Sequence, residues 1–292
     1  MGAILTILCR LPGTILLTFV FLSGHQPSTI FMTPLSVVII TFNEERNIGR
    51  CLDSVGGVTD DIVVIDSFST DKTKEICGSH SVRYFPHQWE GYSASKNFGN
   101  TQAKHDWILS LDADEALSDN LRDSIHGWKM KPEPVPAKFS RLANYCGKWI
   151  RHGGWYPDVK IRIFNRNITR WSGLIHEKLT GIDEKNAVFL PGDCYHFTYY
   201  SVEEHLAKTE YFAGMAADDL FKQGKMAGTF SLYTSPAAKF LRDYFLRLGF
   251  LDGTTGYNIA RISAYAAWLK YYKLRQLQRR RIEEVKKTGN KE

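Results

Sequence analysis

PLSVVIITFNEERNIGRCLDSV, residues 34–55, opens the readable part of the chain. Leu35 to Thr41 is an unbroken apolar, β-branched run, the pattern of a strand buried on both faces. The polar loop FNEE follows, and then Ile48, Cys51, Leu52 and Val55 fall at helical spacing, with Asn43 as the expected N-cap. DIVVID, 61–66, repeats the strand pattern and leads through SFSTD into a second helix around 74–77. A short strand at 82–85 precedes a helix over 93–102. DWILSL, 106–111, is the fourth strand, and Ser118 caps the helix after it. Strands alternating with helices predict right-handed crossovers and a parallel sheet, which binds ligands beyond the carboxyl ends of its strands. The polar residues Asn43, Glu44, Glu45, Asp66, Asp112 and Asp114 all follow strands in this way.

Past residue 128 the pattern changes. KPEPVP, 131–136, is a proline-rich connection, and 137–145 and 159–165 alternate as half-buried strands do, predicting a partly antiparallel extension. Ser201 and Glu204 form a capping box for a long helix reaching about 223. Phe240, Leu241, Tyr244, Phe245 and Leu248 make one apolar face, and 257–274 reads as an aromatic-rich apolar helix. Apolar, aromatic and basic residues together suit a helix lying in a membrane interface; the plainer reading is a helical hairpin packed on the domain. The expected divisions are 1–33, 34–128, 129–200 and 201–292.

The net charge is +6, and residues 270–292 hold nine Lys/Arg against three Glu, so the tail carries the whole excess. Such a tail suits an anionic surface or is a solvated helix end. No recognition motif for nucleic acid is interleaved with it. The five cysteines are scattered without a CxxC pair, which indicates neither a disulfide framework nor a zinc site and suits a reducing, cytoplasmic setting. Residues 3–22 are apolar but interrupted by Arg10, Pro12 and Gly13. They read as a poor anchor, or as upstream sequence ahead of Met32.

The strongest chemical signal is LSLDADE, 109–115. Two carboxylates, Asp112 and Asp114, stand two residues apart at a strand end and can share a hard divalent cation, Mg²⁺ or Mn²⁺, with substrate phosphates. An isolated DxD is weak evidence; acids at two other strand ends strengthen it. Asp66 can accept hydrogen bonds from a base or ribose, or can simply cap a turn. No GxGxxG follows the first strand and no GxxxxGK[ST] occurs, which argues against a dinucleotide enzyme and a P-loop ATPase.

The blocks PLSVVIITFNEERNIGRCLDSV, VVIDSFSTDKT, SASKNFGN and WILSLDADE resemble, in order, the nucleotide-sugar domain of the family 2 glycosyltransferases. HGGWYPDVKIRIFNR (152–166), WSGLIHEKL (171–179) and GFLDGTTG (249–256) are similar to the branch that acts on the bacterial lipopolysaccharide core. The resemblance implies a GT-A nucleotide-diphospho-sugar transferase fold: a mixed, mostly parallel sheet flanked by helices, here with a C-terminal helical extension. It implies a metal-dependent inverting transferase with a UDP-sugar donor, UDP-glucose foremost, and a glycan or glycolipid acceptor; the C-terminal helices, basic tail and cysteine usage read above suit a membrane-associated protein of the cytoplasmic face. Thr41, Asn43, Glu45, Asp66, Lys96, Asn97 and Asp112 would meet the nucleotide sugar, with Asp112 and Asp114 on the metal. Lys96 stands where arginine is frequent in the family. An inverting transfer needs a carboxylate to take the acceptor proton. Where many members have Glu-Asp, this chain has His176-Glu177, so Glu177 is the expected base and His176 its orienter or a metal ligand. Trp155 and Trp171 are candidate acceptor-binding rings. Rival readings are a polyprenyl-phosphate acceptor and a non-catalytic protein that binds sugar nucleotides.

Overall fold

The computed structural model describes residues 32–173 and 177–289. Residues 1–31, with the interrupted apolar stretch, and His176 lie outside them. Four parallel strands come first: β1 (Leu35–Thr41), β2 (Asp61–Asp66), β3 (Arg83–Pro86) and β4 (Trp107–Asp112). Helices α1 (Ile48–Val55), α2 (Thr73–Gly78) and α3 (Tyr92–Gln102) connect them. Then come β5 (Glu115–Leu117), α4 (Asp119–Lys129), β6 (Ala137–Tyr145), β7 (Lys148–Trp149) and β8 (Asp158–Asn165). β9 (Arg170–Ser172), β10 (Lys178–Thr180), β11 (Val188–Tyr199) and α5 (Val202–Lys222) lead to α6 (Thr229–Leu241) and α7 (Gly253–Gly289).

One sheet runs β3-β2-β1-β4-β8-β6-β11-β5, with β7 paired to β6. β3, β2, β1 and β4 are parallel. β8 is antiparallel to both β4 and β6, β11 runs parallel to β6, and β5 returns antiparallel to β11. The mixed extension expected after residue 128 is therefore present. β9 and β10 form a separate antiparallel pair.

The alternation in β1 explains the two layers. Val37 and Ile39 pack on one face with Ile48, Cys51, Leu52 and Val55 of α1 and Leu121, Ile125 and Trp128 of α4. Val38 and Ile40 pack on the other with Val63, Ile65, Phe164 and Trp171, backed by Tyr92 and Phe98 of α3. Gly99 sets the spacing of α3: a Cβ there would lie 2.5 Å from Cγ1 of Val38.

The capping expectations divide. Ser118 Oγ accepts from Leu121 N at 3.2 Å, and Ser201 Oγ accepts from Glu204 N at 3.1 Å, as expected. Asn43 is not the cap of α1. It sits at φ +54, and its Oδ1 accepts from Thr70 N at 2.8 Å, across to the next loop. The helix instead begins after Asn47, because residues 43–45 are committed to bridging two loops.

The 257–274 segment also departs from the interfacial expectation. It belongs to α7, which packs along α5 and α6 and buries Ile259, Ile262, Leu269 and Leu274. Its apolar face is spent on protein, as in the hairpin reading. Asp252, just before α7, ties this region to the sheet: its carboxylate accepts from His152 N at 2.9 Å and lies 3.0 Å from His152 Nδ1.

Candidate active site

The loops after β1 and β2 are laced together at the carboxyl end of the sheet. Asn43 N donates to Ser69 Oγ at 2.8 Å, Glu44 N to Thr73 Oγ1 at 2.8 Å and Glu45 N to Asp71 Oδ2 at 3.0 Å. Glu45 returns the link by accepting from Lys72 N at 3.0 Å. Asp66 is buried and holds the turn, accepting from Ser69 N at 2.8 Å, Tyr84 Oη at 2.7 Å and Ser69 Oγ. Phe68, exposed, lies at φ +61, a left-handed conformation unusual for a bulky side chain and frequent near working sites. Thr41 is buried at the end of β1.

Beside the end of β4, Lys96 of α3 is almost wholly buried, at 1 % exposure. Its ammonium lies 3.0 Å from Asp112 Oδ1, pairs with Glu177 and stands 4.8 Å from the centre of the Trp171 ring. Lys96, Asp112 and Glu177, singled out from three separate motifs, thus meet. Arg162 of β8 reaches the same carboxylate, 3.2 Å from Asp112 Oδ2 and 2.6 Å from Glu115. Arg141 of β6 adds a contact to Glu115 at 3.0 Å. Burial alone would push the Asp112 carboxyl up; the Lys96, Arg162 and Arg141 charges hold it far below the usual carboxylate range.

Asp114 faces a different partner, His196 Nε2 of β11, at 3.3 Å. Burial disfavours the charged ring, but the Asp114 charge and hydrogen bond keep its pKa raised. The β11–β5 pairing creates this contact, setting His196 opposite Glu115. Asp114 also lines a polar cleft of ≈ 210 Å³ with Glu44, Asn47, Tyr200, Glu204 and Lys208. Burial, opposed by the Asn47 hydrogen bond and reinforced by Asp114, pushes Glu44 up to about 7.

Other expected residues take structural places. Asn97 forms a pair of hydrogen bonds with the Trp171 backbone, at 2.9 and 3.0 Å, fixing β9 to α3. Trp171 is buried beneath Lys96. Trp155 packs with Tyr145, Tyr199 and His205, away from this carboxylate group in the contacts it makes. His196 and Arg141 carry no local signal that singles them out, and Glu115 and Arg162 lie inside the quoted LSLDADE and HGGWYPDVKIRIFNR blocks without being singled out there. Their roles depend on strand pairings between residues dozens of positions apart.

Among the described residues no group of three or more His, Cys, Asp or Glu side chains converges on one point. The Asp114 carboxylate and the His196 imidazole do offer an oxygen and a nitrogen donor side by side. Two protein ligands completed by phosphate oxygens fit a divalent cation that keeps part of its shell for substrate. Asp112 is by contrast already matched by two cations.

Comparison with known proteins finds relatives in sequence. The model for "Glycosyl transferase family 2" matches residues 36–126. The chain is 31% identical over 257 residues to an uncharacterized glycosyltransferase of Rickettsia typhi, covering 84% of this chain and 88% of that one. It is 29% identical over 266 residues to the lipopolysaccharide core biosynthesis glycosyltransferase LpsC of Rhizobium meliloti, covering 83% and 92%. The crystal structure of S. aureus TarS 1-349 in complex with UDP-GlcNAc superposes with a TM-score of 0.42 at 15% identity, over 85% of this chain and 92% of that one. With its GT-A architecture and its acids gathered at the ends of the parallel strands, the chain belongs to glycosyltransferase family 2.

Proposed function

We propose that the protein is an inverting, metal-dependent hexosyltransferase that moves glucose from UDP-glucose to a lipopolysaccharide-core or related envelope acceptor. The observation that carries the reading is the meeting of Lys96, Asp112 and Glu177 beside Asp114 and His196. Similarity to LpsC supports the class of acceptor. A polyprenyl-phosphate acceptor is the rival, distinguished by sugar appearing in an acid-labile lipid.

In this reading the nucleoside sits against Thr41, Asn43, Glu45 and Asp66, where the exposed Phe42 and Phe68 rings suit stacking on a base. Lys96 and Arg162 are fixed positive charges, and buried cations placed where a leaving group gathers charge favour its departure. Asp112 balances them before substrate binds. Asp114 and His196 would hold a divalent cation, which when bound compensates the charge of the departing nucleoside diphosphate. Glu177 accepts the acceptor hydroxyl proton. Lys96 holds its carboxylate in place.

The test is nucleoside diphosphate release across a panel of sugar nucleotides, with and without Mn²⁺. Asp114→Ala is expected to lose the Mn²⁺-dependent rate, a drop of about 10²-fold or more. Glu177→Gln is expected to bind donor normally and to lose transfer. Near-normal turnover in either variant removes the role assigned to that residue.

A further inference from the structure

We propose that α6 and the turn that follows it form an in-plane docking surface for an anionic phospholipid bilayer. The inference rests on the envelope-acceptor reading only in choosing a bilayer as the partner. The α6 sequence, TFSLYTSPAAKFL, contains no acid and a single base, Lys239. Leu232 is buried, and the helix packs against α7. The outward stripe holds Phe230, Tyr233, Ala237 and Leu241, at spacings of three and four residues, with Phe230 80% and Tyr233 72% exposed. A surface helix turned toward water carries charge on that stripe.

Further apolar side chains are exposed just past the end of α6. The chain closes a wide turn, with Arg247 N donating to Arg242 O at 2.8 Å, and presents Phe245, Leu246 and Leu251 to solvent, Leu246 at 79% exposure. Single exposed apolar residues are ordinary; a contiguous run of them marks an interaction face.

Charge selects the partner. Lys239, Arg242 and Arg247 surround the buried Asp243 at 2.6, 3.0 and 3.7 Å. Three cations on one carboxylate leave the rim of the apolar surface positive. Lipid phosphates complement that rim, whereas a second copy docking face to face would meet its own charge. An apolar stripe edged by basic residues is the form of helix that lies at a bilayer interface. α6 is too short to cross, and no helix among the described residues is long and apolar enough to do so.

The surface is rigidly referenced to the transferase unit. Gly153 N donates to Arg247 O at 2.8 Å, and Lys148 Nζ to Asp252 O at 2.7 Å. Docking through α6 therefore fixes the orientation of the sheet relative to the lipid plane. The element assigned to the bilayer is thus α6 and its turn, and not the 257–274 segment, whose apolar face packs inward.

Flotation of the full chain with phosphatidylcholine vesicles, with and without phosphatidylglycerol, tests this. The protein is expected to float with the phosphatidylglycerol vesicles and to be released by added salt. Tyr233→Glu with Leu246→Glu is expected to weaken that binding by about tenfold or more while leaving nucleoside diphosphate release from soluble donor unchanged. Leu246→Trp, which keeps the surface apolar, is expected to float as before and to shift its fluorescence to the blue on these vesicles. Equal flotation of the parent and the double variant overturns the proposal, as does absence of flotation in the parent. A double substitution that turns a dimer into a monomer by light scattering without altering flotation overturns it too. Vesicle binding with no transfer to any glycan would count against the enzymatic reading and leave the docking surface standing.

Discussion

Glu44 shows how burial and company can set the behaviour of a single carboxyl. It lies in the polar cleft with Asn47, Asp114, Glu204 and Lys208, and burial lifts it to about 7, above the ordinary value of 4.5. A folded-state pKa above the unfolded one gives stability that is fully present below the unfolded value and is lost as pH rises through the folded value. The contribution of Glu44 is therefore complete below about pH 4.5 and gone above about pH 7. Glu44→Gln removes the titration, so the variant should gain in melting temperature relative to the parent between pH 5 and pH 8, and a pH-independent difference would contradict this. The sequence could not announce such a residue: Glu44 reads as one more loop acid until Asp114 and Glu204 are folded against it. Asp112 and Asp114 were legible because two acids closing a buried strand are a local pattern. His196 was not, since β11 must cross the molecule before the histidine faces Asp114.

Among elements, β1 and its neighbours follow closely from local pattern. LSVVIIT and DIVVID form strands over the residues expected, because runs buried on both faces have no alternative partner as good as a parallel sheet. α3 is different. Its faint amphipathic pattern places a helix, while its close seat on the sheet depends on Gly99. Gly99→Ala puts a methyl group within 2.5 Å of Val38 and should destabilise the fold by roughly 1–3 kcal/mol. Because Lys96 and Asn97 ride on the same helix, the variant should also lose donor affinity; urea unfolding and donor titration measure the two effects. A stability within experimental error of the parent would mean that α3 shifts without consequence. The β9–β10 pair was harder to read, since three-residue strands carry too little periodicity and are fixed here by Asn97 gripping the Trp171 backbone.

At the scale of the whole molecule, the parallel half was legible and the arrangement of the rest less so. Alternation in residues 137–165 indicates strands, but nothing local says that β8 slots between β4 and β6. That insertion carries Arg162 to Asp112 and joins the two halves through a single sheet. The C-terminal helices were visible as helices, and their composition suggested contact with lipid. Only packing decides which apolar face is spent on protein and which is left outward. The centre of the sheet has a final consequence. β1 is hydrogen-bonded on both edges, by β2 and β4, and its side chains are buried on both faces. Its amides have no route to solvent short of unfolding the whole unit. Deuterium should enter Val37 to Ile40 last, at a rate that reports global stability, and early labelling there would reveal a local opening that this architecture forbids.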